Sequence, residues 1–320
     1  MGDPCWAALD IGSNTVMTLV ARGASGGLVE DAEWQTTTRL GQGVDACGQL
    51  APEAQERTLA AIASQIAAAR SHQGAGVGIA VATSAAREAR NGRAFLARCA
   101  SLVGGTPRLL SGQEEAEVTF RGIVSDLPRG TPVVHLDVGG GSSEISAGVV
   151  GAGCLSAESL ALGCVRIGER FGLLDVAPPA AQLRAAQAVR DLLGPAVSRL
   201  QAIAAVNPAT VVLSGGSATT YAALQLALPV YAADRVHHWQ GRRAALEAAL
   251  PRLFALSAAE RSQLPAVGAG RAPVLPAGLL ILCEFLRLRQ AEAFSVSRRG
   301  LRFGLVDALA AGDLQPTWRW

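Results

Sequence analysis

Hydrophobic and polar positions alternate between two regimes along this chain. Short apolar runs read as buried strands, and longer stretches with apolar residues three and four apart read as helices. The run Val133-Val134-His135-Leu136 drives into Asp137, and the run Ala7-Ala8-Leu9 drives into Asp10. Residues 5–37 predict three strands joined by tight turns, one of them at Ala24-Ser25-Gly26-Gly27. Pro52 opens a helix whose Leu59, Ile62 and Ile66 make one apolar face through about Arg70. Val77–Val81 reads as a strand, and Thr83-Ser84 as the cap of a helix carrying Arg87 and Asn91. A helix around Ser101 precedes a short strand at Arg108-Leu109-Leu110.

The second half, from about Ser125, repeats the opening: three strands, then a loop at Ser159–Arg166 entering a helix. A long helix is expected from Pro179 to Val206, a strand at Val211–Leu213, and a helix over Ala218–Leu228. Arg242–Leu256 is amphipathic, and Val274–Leu288 reads as a buried helix. Ala293–Val296 is a last strand and Gly300–Leu309 a last helix; Trp318-Arg319-Trp320 carries no readable pattern.

The chemistry concentrates where the two strands end in aspartate. After Asp137 come Val138, then Gly139, Gly140, Gly141, Ser142, Ser143 and Glu144; after Asp10 come Ile11, Gly12, Ser13, Asn14 and Thr15. Glycines let backbone N–H groups close around an anion, and the hydroxyls and amide add donors. Three glycines also make a plain hairpin turn; the echo of one stretch in the other is what singles both out. Asp10, Asp137 and Glu144 are hard oxygen donors of the kind that hold Mg²⁺, with Mn²⁺ an alternative, beside phosphate. Arg87 can fork onto phosphate oxygens, and a surface ion pair is the plainer role for it. Ser111-Gly112-Gln113-Glu114 has capping-box spacing, so the acids Glu114 and Glu115 read as a capped helix start or as a carboxylate facing the ligand. Ser214, Gly215, Gly216 and Ser217 read as a turn from a strand into a helix, either a nucleotide-type phosphate turn or a simple connection.

Composition narrows the classes. With 320 residues, half of them hydrophobic, the chain can bury two cores. All 28 basic residues are Arg and the net charge is +2, which suits an anionic ligand and does not announce a nucleic-acid binder. The six cysteines form no C-x-x-C pair, and neither a secretory leader nor a membrane span is legible, so reduced thiols in a cytoplasmic protein are expected. The four histidines lack zinc-ligand spacing; His135 reads as a packed core residue and His237-His238 as a surface pair.

The ordered set of these stretches resembles the exopolyphosphatase / guanosine pentaphosphate phosphohydrolase (Ppx/GppA) family. It runs from Asp10–Thr15 through Arg39-Leu40-Gly41, Thr83-Ser84-Ala85 with Arg87 and Asn91, and Ser111–Ala116. It continues with Asp137–Glu144, Gly163 and Arg166, Ser214-Gly215-Gly216 and Leu275–Gly278. The resemblance implies an α/β protein of two ribonuclease-H-like domains, of the actin-like ATPase, sugar kinase and Hsp70 superfamily, with an active-site cleft between them. One domain would be 1–124 with the C-terminal helix 300–320, the other 125–299. Longer members carry a further HD-like helical domain, and this chain resembles the short two-domain form, often a homodimer. The resemblance also makes Glu115 the general base. The pattern departs at Pro273, Arg298 and Phe303, where the family often has acids.

The implied activity is Mg²⁺-dependent release of orthophosphate from the end of inorganic polyphosphate. The alternative is conversion of pppGpp to ppGpp at the same site. An ATP-dependent kinase and a non-catalytic nucleotide or polyphosphate sensor rank below both, because the Glu-Glu pair suits a water nucleophile.

Overall fold

The structure, a computed structural model, describes residues 5–24, 27–72 and 76–319. Ser25 and Gly26 of the first expected turn, and Trp320, lie outside the described residues. The chain falls into two compact units, Met1–Asp126 with Gly300–Trp320, and Leu127–Arg299.

The first unit opens with an antiparallel meander of β1 (Cys5–Ile11), β2 (Thr15–Ala24) and β3 (Gly27–Thr37). After α1 (Val44–Cys47) and α2 (Pro52–Ser71), β4 (Val77–Ala82) lies parallel beside β1. Then come α3 (Ser84–Glu88), α4 (Gly92–Val103), β5 (Arg108–Leu109) and α5 (Gly112–Val124). Side chains alternate across a strand, and β1 is apolar on both faces. Ala7, Leu9 and Ile11 join one core with Ile62 and Ile66 of α2, while Ala8 joins another with Phe303, Leu305 and Val306. That double burial is why β1 reads as a continuous apolar run.

One expectation fails in this unit. Arg87 and Asn91 do not share a helix, because α3 ends at Glu88. The chain folds back so tightly that a Cβ on Gly92 would lie 1.9 Å from the carbonyl oxygen of Ala86. Asn91 instead clamps Leu50, accepting from its N–H at 2.8 Å and donating to its carbonyl at 2.9 Å. Thr83 occupies the cap position of α3 without a side-chain capping bond.

The second unit repeats the meander with β6 (Pro132–Val138), β7 (Ser143–Val149) and β8 (Gly153–Leu160). Helices α6 (Cys164–Phe171) and α7 (Pro179–Gln201) lead to β9 (Thr210–Ser214), parallel to β6. Next are α8 (Gly215–Gln225), α9 (Ala233–Val236), β10 (Gln240–Arg242), α10 (Arg243–Ala255), α11 (Ala258–Ser262), α12 (Leu275–Leu288) and β11 (Ala293–Val296). The sheet order is β10-β11-β9-β6-β7-β8. Two helices are bounded differently from the sequence reading. α7 stops at Gln201, ahead of a 3₁₀ turn at Ala204–Val206, and α8 begins at Gly215 and ends at Gln225. α12 is buried almost all round. Its one acid, Glu284, is buried and held by Arg190 at 3.1 Å and Arg287 at 2.9 Å, as a buried charge requires.

The chain then contributes α13 (Leu301–Ala310) and β12 (Trp318–Arg319) to the first unit. Arg121 of α5 pairs with Asp307 and Asp313, fastening α13 in place. β12 pairs antiparallel with β4, and the indole of Trp318 packs against Gly78, where a Cβ would sit 2.1 Å from the ring. The unreadable terminus is therefore an edge strand whose anchor needs a glycine beneath it. The first sheet runs β12-β4-β1-β2-β3, with β5 also on β4. Both units thus set an antiparallel three-strand meander beside a parallel crossover strand, the ribonuclease-H-like arrangement of the actin-like fold. Among the described residues, no helix is long and apolar enough to cross a membrane.

Candidate active site

The two aspartate turns are the same structure built twice. Gly12 N–H donates to the carbonyl of Thr15 at 3.1 Å, and Gly139 N–H donates to that of Ser142 at 3.0 Å. A Cβ on Gly12 would lie 2.9 Å from that Thr15 oxygen, and one on Gly139 would lie 3.0 Å from the Ser142 oxygen. Glycine is needed at both places because the backbone closes on itself there.

In the first unit the turn's carbonyls point into the protein. Ser13 O accepts from Gly41 N at 2.7 Å, and Asn14 O accepts from the N–H groups of Thr38 and Arg39, each at 3.0 Å. The Oγ of Ser13 accepts from Ala85 N at 3.1 Å, joining the turn to α3. With its carbonyls tied down, the turn presents donors, which is what an anion needs. Ser13, Asn14 and Thr15 are all buried. Three residues beyond Ser84, Arg87 Nη1 donates to the Leu110 carbonyl at 2.9 Å and to Glu115 Oε2 at 3.0 Å.

The two neighbouring acids divide as their positions on α5 dictate. Glu114 completes a capping box with Ser111 and pairs with Arg108, and these bonds hold its carboxyl below the usual range. One position on, Glu115 points inward and is only 6% exposed. In place of the plainer surface ion pair, Arg87, itself half-buried, pairs with the buried acid named from the resemblance.

In the second unit the Gly139, Gly140 and Gly141 carbonyls accept from Cys164 N, Val165 N and Arg166 Nε, at 2.9, 2.9 and 2.8 Å. Gly163 lets α6 begin against the turn; a Cβ there would lie 2.1 Å from the Gly140 oxygen. Register then sets a polar row across four strands. Ser214, Asp137, Glu144 and Ser159 are successive partners on β9, β6, β7 and β8, so their side chains share one face of the sheet. Ser214 Oγ donates to Asp137 Oδ2, and Ser159 Oγ donates to Glu144 Oε1 at 2.7 Å. One step inward, His135 and Ser146 are partners on the same face. Ser142, also buried, closes the glycine turn.

Period-2 alternation places His135 beside Asp137 and Ser146 beside Glu144, and His135, expected as a packed core residue, is fully buried there. Ser159, expected at the start of a loop entering a helix, lies instead on β8, and Ser214, which the resemblance includes, ends β9. Burial pushes the His135 imidazole down to about 3, so it is neutral near pH 7.

Gly215, Gly216 and Ser217 are the first turn of α8 itself, not a loop before it. Gly215 has φ +83°, and a Cβ there would lie 2.6 Å from Val138 O. The Arg271 guanidinium lies over Gly216, a cation that sequence spacing did not reveal. Of the departures, Pro273 lends its carbonyl to the buried Arg261 at 3.3 Å, and Phe303 is a core residue. Arg298 N donates to His237 Nδ1 at 3.4 Å, and the His237 and His238 rings stack 3.9 Å apart.

Residues 19–311 match the model of the Ppx/GppA phosphatase family. The chain belongs to that family. Over 320 residues it is 35% identical to exopolyphosphatase 2 of Mycobacterium tuberculosis, covering 95% of this chain and 98% of that one. Two solved structures are similar at 26% identity. An exopolyphosphatase-like protein gives a TM-score of 0.88, covering 97% of this chain and 100% of that one. The Aquifex aeolicus Ppx/GppA family member gives 0.79, covering 98% of this chain and 99% of that one. As a Ppx/GppA phosphatase the chain is a hydrolase. Asp137 and Glu144 face the same side from adjacent strands and offer only hard oxygen atoms, a donor set that fits Mg²⁺. Asp10 stands at the same place in the first turn.

Proposed function

We propose that this chain is an exopolyphosphatase, a Mg²⁺-dependent hydrolase that removes the terminal phosphate of inorganic polyphosphate as orthophosphate. The observation that carries the reading is Glu115, a buried carboxylate fixed by Arg87 on the helix after β5. A carboxylate so placed suits activation of water.

Phosphoanhydride hydrolysis is mostly positioning and charge neutralisation. The Ser13 and Asn14 N–H groups and the Ser13 hydroxyl bind phosphate oxygens. Glu115 accepts a proton as the water oxygen bonds to the terminal phosphorus, and the bridging P–O bond breaks. The shortened chain leaves with the bridging oxygen. Arg87 orients Glu115 in the resting site. Asp137 and Glu144 would hold Mg²⁺, whose chemistry there is neutralisation of phosphate charge. Names borne by relatives, exopolyphosphatase 1 and exopolyphosphatase 2 of Mycobacterium tuberculosis, support polyphosphate over a nucleotide.

The test is phosphate release from polyphosphate, pppGpp and ATP at equal concentration with Mg²⁺. Polyphosphate is expected to be the preferred substrate. A clear preference for pppGpp would reverse the assignment, and a phosphorylated acceptor instead of free phosphate would make the chain a kinase.

A further inference from the structure

β6 is an apolar strand, with Val133, Val134 and Leu136 buried, and a histidine interrupts it. Burying an imidazole is costly unless both ring nitrogens are satisfied. Here both are: His135 Nδ1 lies 3.2 Å from Ser146 Oγ, and Nε2 lies 2.8 Å from Ser214 Oγ. Ser214 is the residue whose hydroxyl donates to Asp137 Oδ2.

The directions of these bonds follow from counting hydrogens. A serine hydroxyl has one hydrogen. That of Ser214 goes to Asp137, since an ionised carboxylate has none to give. The contact between Ser214 and His135 therefore takes its hydrogen from Nε2. In the neutral ring Nδ1 then accepts from Ser146. Three bonds run one way, Ser146 to His135 to Ser214 to Asp137. With the opposite tautomer, His135 would compete with Asp137 for the single Ser214 hydrogen.

We propose that His135 is a positioning residue for Asp137, fixing the Ser214 hydroxyl so that this carboxylate keeps one orientation toward its ligand. The proposal rests on the reading of Asp137 as part of the phosphate and metal site. It assigns work to a residue that the fold alone does not require. A hydrocarbon side chain would satisfy the strand, but could not hold the Ser214 hydroxyl.

The test has two readouts apart from turnover. In ¹⁵N-histidine-labelled protein without metal, long-range ¹H–¹⁵N correlation should find His135 protonated on Nε2. Mn²⁺ binding without substrate, followed by EPR, should weaken about tenfold in H135L, the scale of outer-shell losses at metal sites. Turnover at limiting Mg²⁺ should fall by about the same factor, with the polyphosphate KM unchanged. H135Q places an amide N–H near the Nε2 position and should recover to within about threefold of wild type. S214A should match H135L, and the double variant should lose no more.

An Nδ1-protonated ring, or H135L and S214A with wild-type Mn²⁺ affinity, would overturn the proposal. If H135L does not fold, the wild-type tautomer and S214A decide the matter. D137N separates the two levels. An active D137N removes the underlying reading of the site. An inactive D137N beside wild-type-like H135L and S214A removes only the role of His135.

Discussion

Arg87 Nη1 lies 3.0 Å from Glu115 Oε2 and 2.9 Å from the carbonyl oxygen of Leu110, so one guanidinium ties a catalytic candidate to the strand end before its helix. Glu115→Gln should therefore retain polyphosphate KM and lose about a hundredfold or more in kcat, the scale of general-base loss. Arg87→Lys keeps the charge and loses the planar fork, and should cost about tenfold in kcat. Because the two side chains touch, the double variant should fall well short of the product of the single losses. Unchanged turnover in Glu115→Gln would remove it from the base role. Steady-state phosphate release measures all three.

Ser111→Ala breaks the capping box ahead of Glu115 without touching the carboxylate. Loss of such a cap costs about 1 kcal/mol. The expected result is a lower Tm with kcat nearly unchanged at a temperature where the variant is folded. A kcat loss matching that of Glu115→Gln would show instead that the cap sets the base's position.

Gly163→Ala would put a Cβ 2.1 Å from the Gly140 carbonyl oxygen. Backbone on both sides leaves little room to yield, so α6 must move away from the glycine turn. Overpacking of this kind costs about 1–3 kcal/mol. Phosphate release should fall sharply while far-UV circular dichroism stays that of a folded protein. Full activity would mean the turn tolerates displacement.

His135 also sets a pH dependence of folding. Its folded value of about 3 lies below the unfolded 6.5, so the unfolded chain binds the extra proton between those limits. Stability therefore falls as pH drops from 6.5 toward 3, with a slope of up to about 1.4 kcal/mol per pH unit from this one group. Urea melts of wild type and H135L over that range should differ by this slope. Parallel curves would show that the ring is protonated in the folded state.

The two aspartate turns are legible in the sequence. Asp10 with Gly12, and Asp137 with Gly139, announced themselves because strand-ending acids followed by glycine are local features, and the repeat made each support the other. Capping-box spacing likewise separated Glu114 from Glu115, since the i to i+3 geometry of a helix start is fixed by covalent structure. The break between Arg87 and Asn91 was not legible, because it comes from the contact of Gly92 with Ala86 and from Asn91 reaching Leu50, forty-one residues away in sequence. Nor could Trp318 be placed, whose burial depends on pairing with β4.

By itself the sequence determined the repeated strand–turn–strand units, the hard-oxygen donors at their ends and the family, because strand period, turn chemistry and side-chain type are local properties. Tertiary structure decided which residues stand beside them. Register across β9, β6, β7 and β8 aligned Ser214, Asp137, Glu144 and Ser159, and hydrogen-bond direction turned a core histidine into a support for Asp137. Pairing between strands far apart in sequence is a global choice of packing, and no local pattern encodes it.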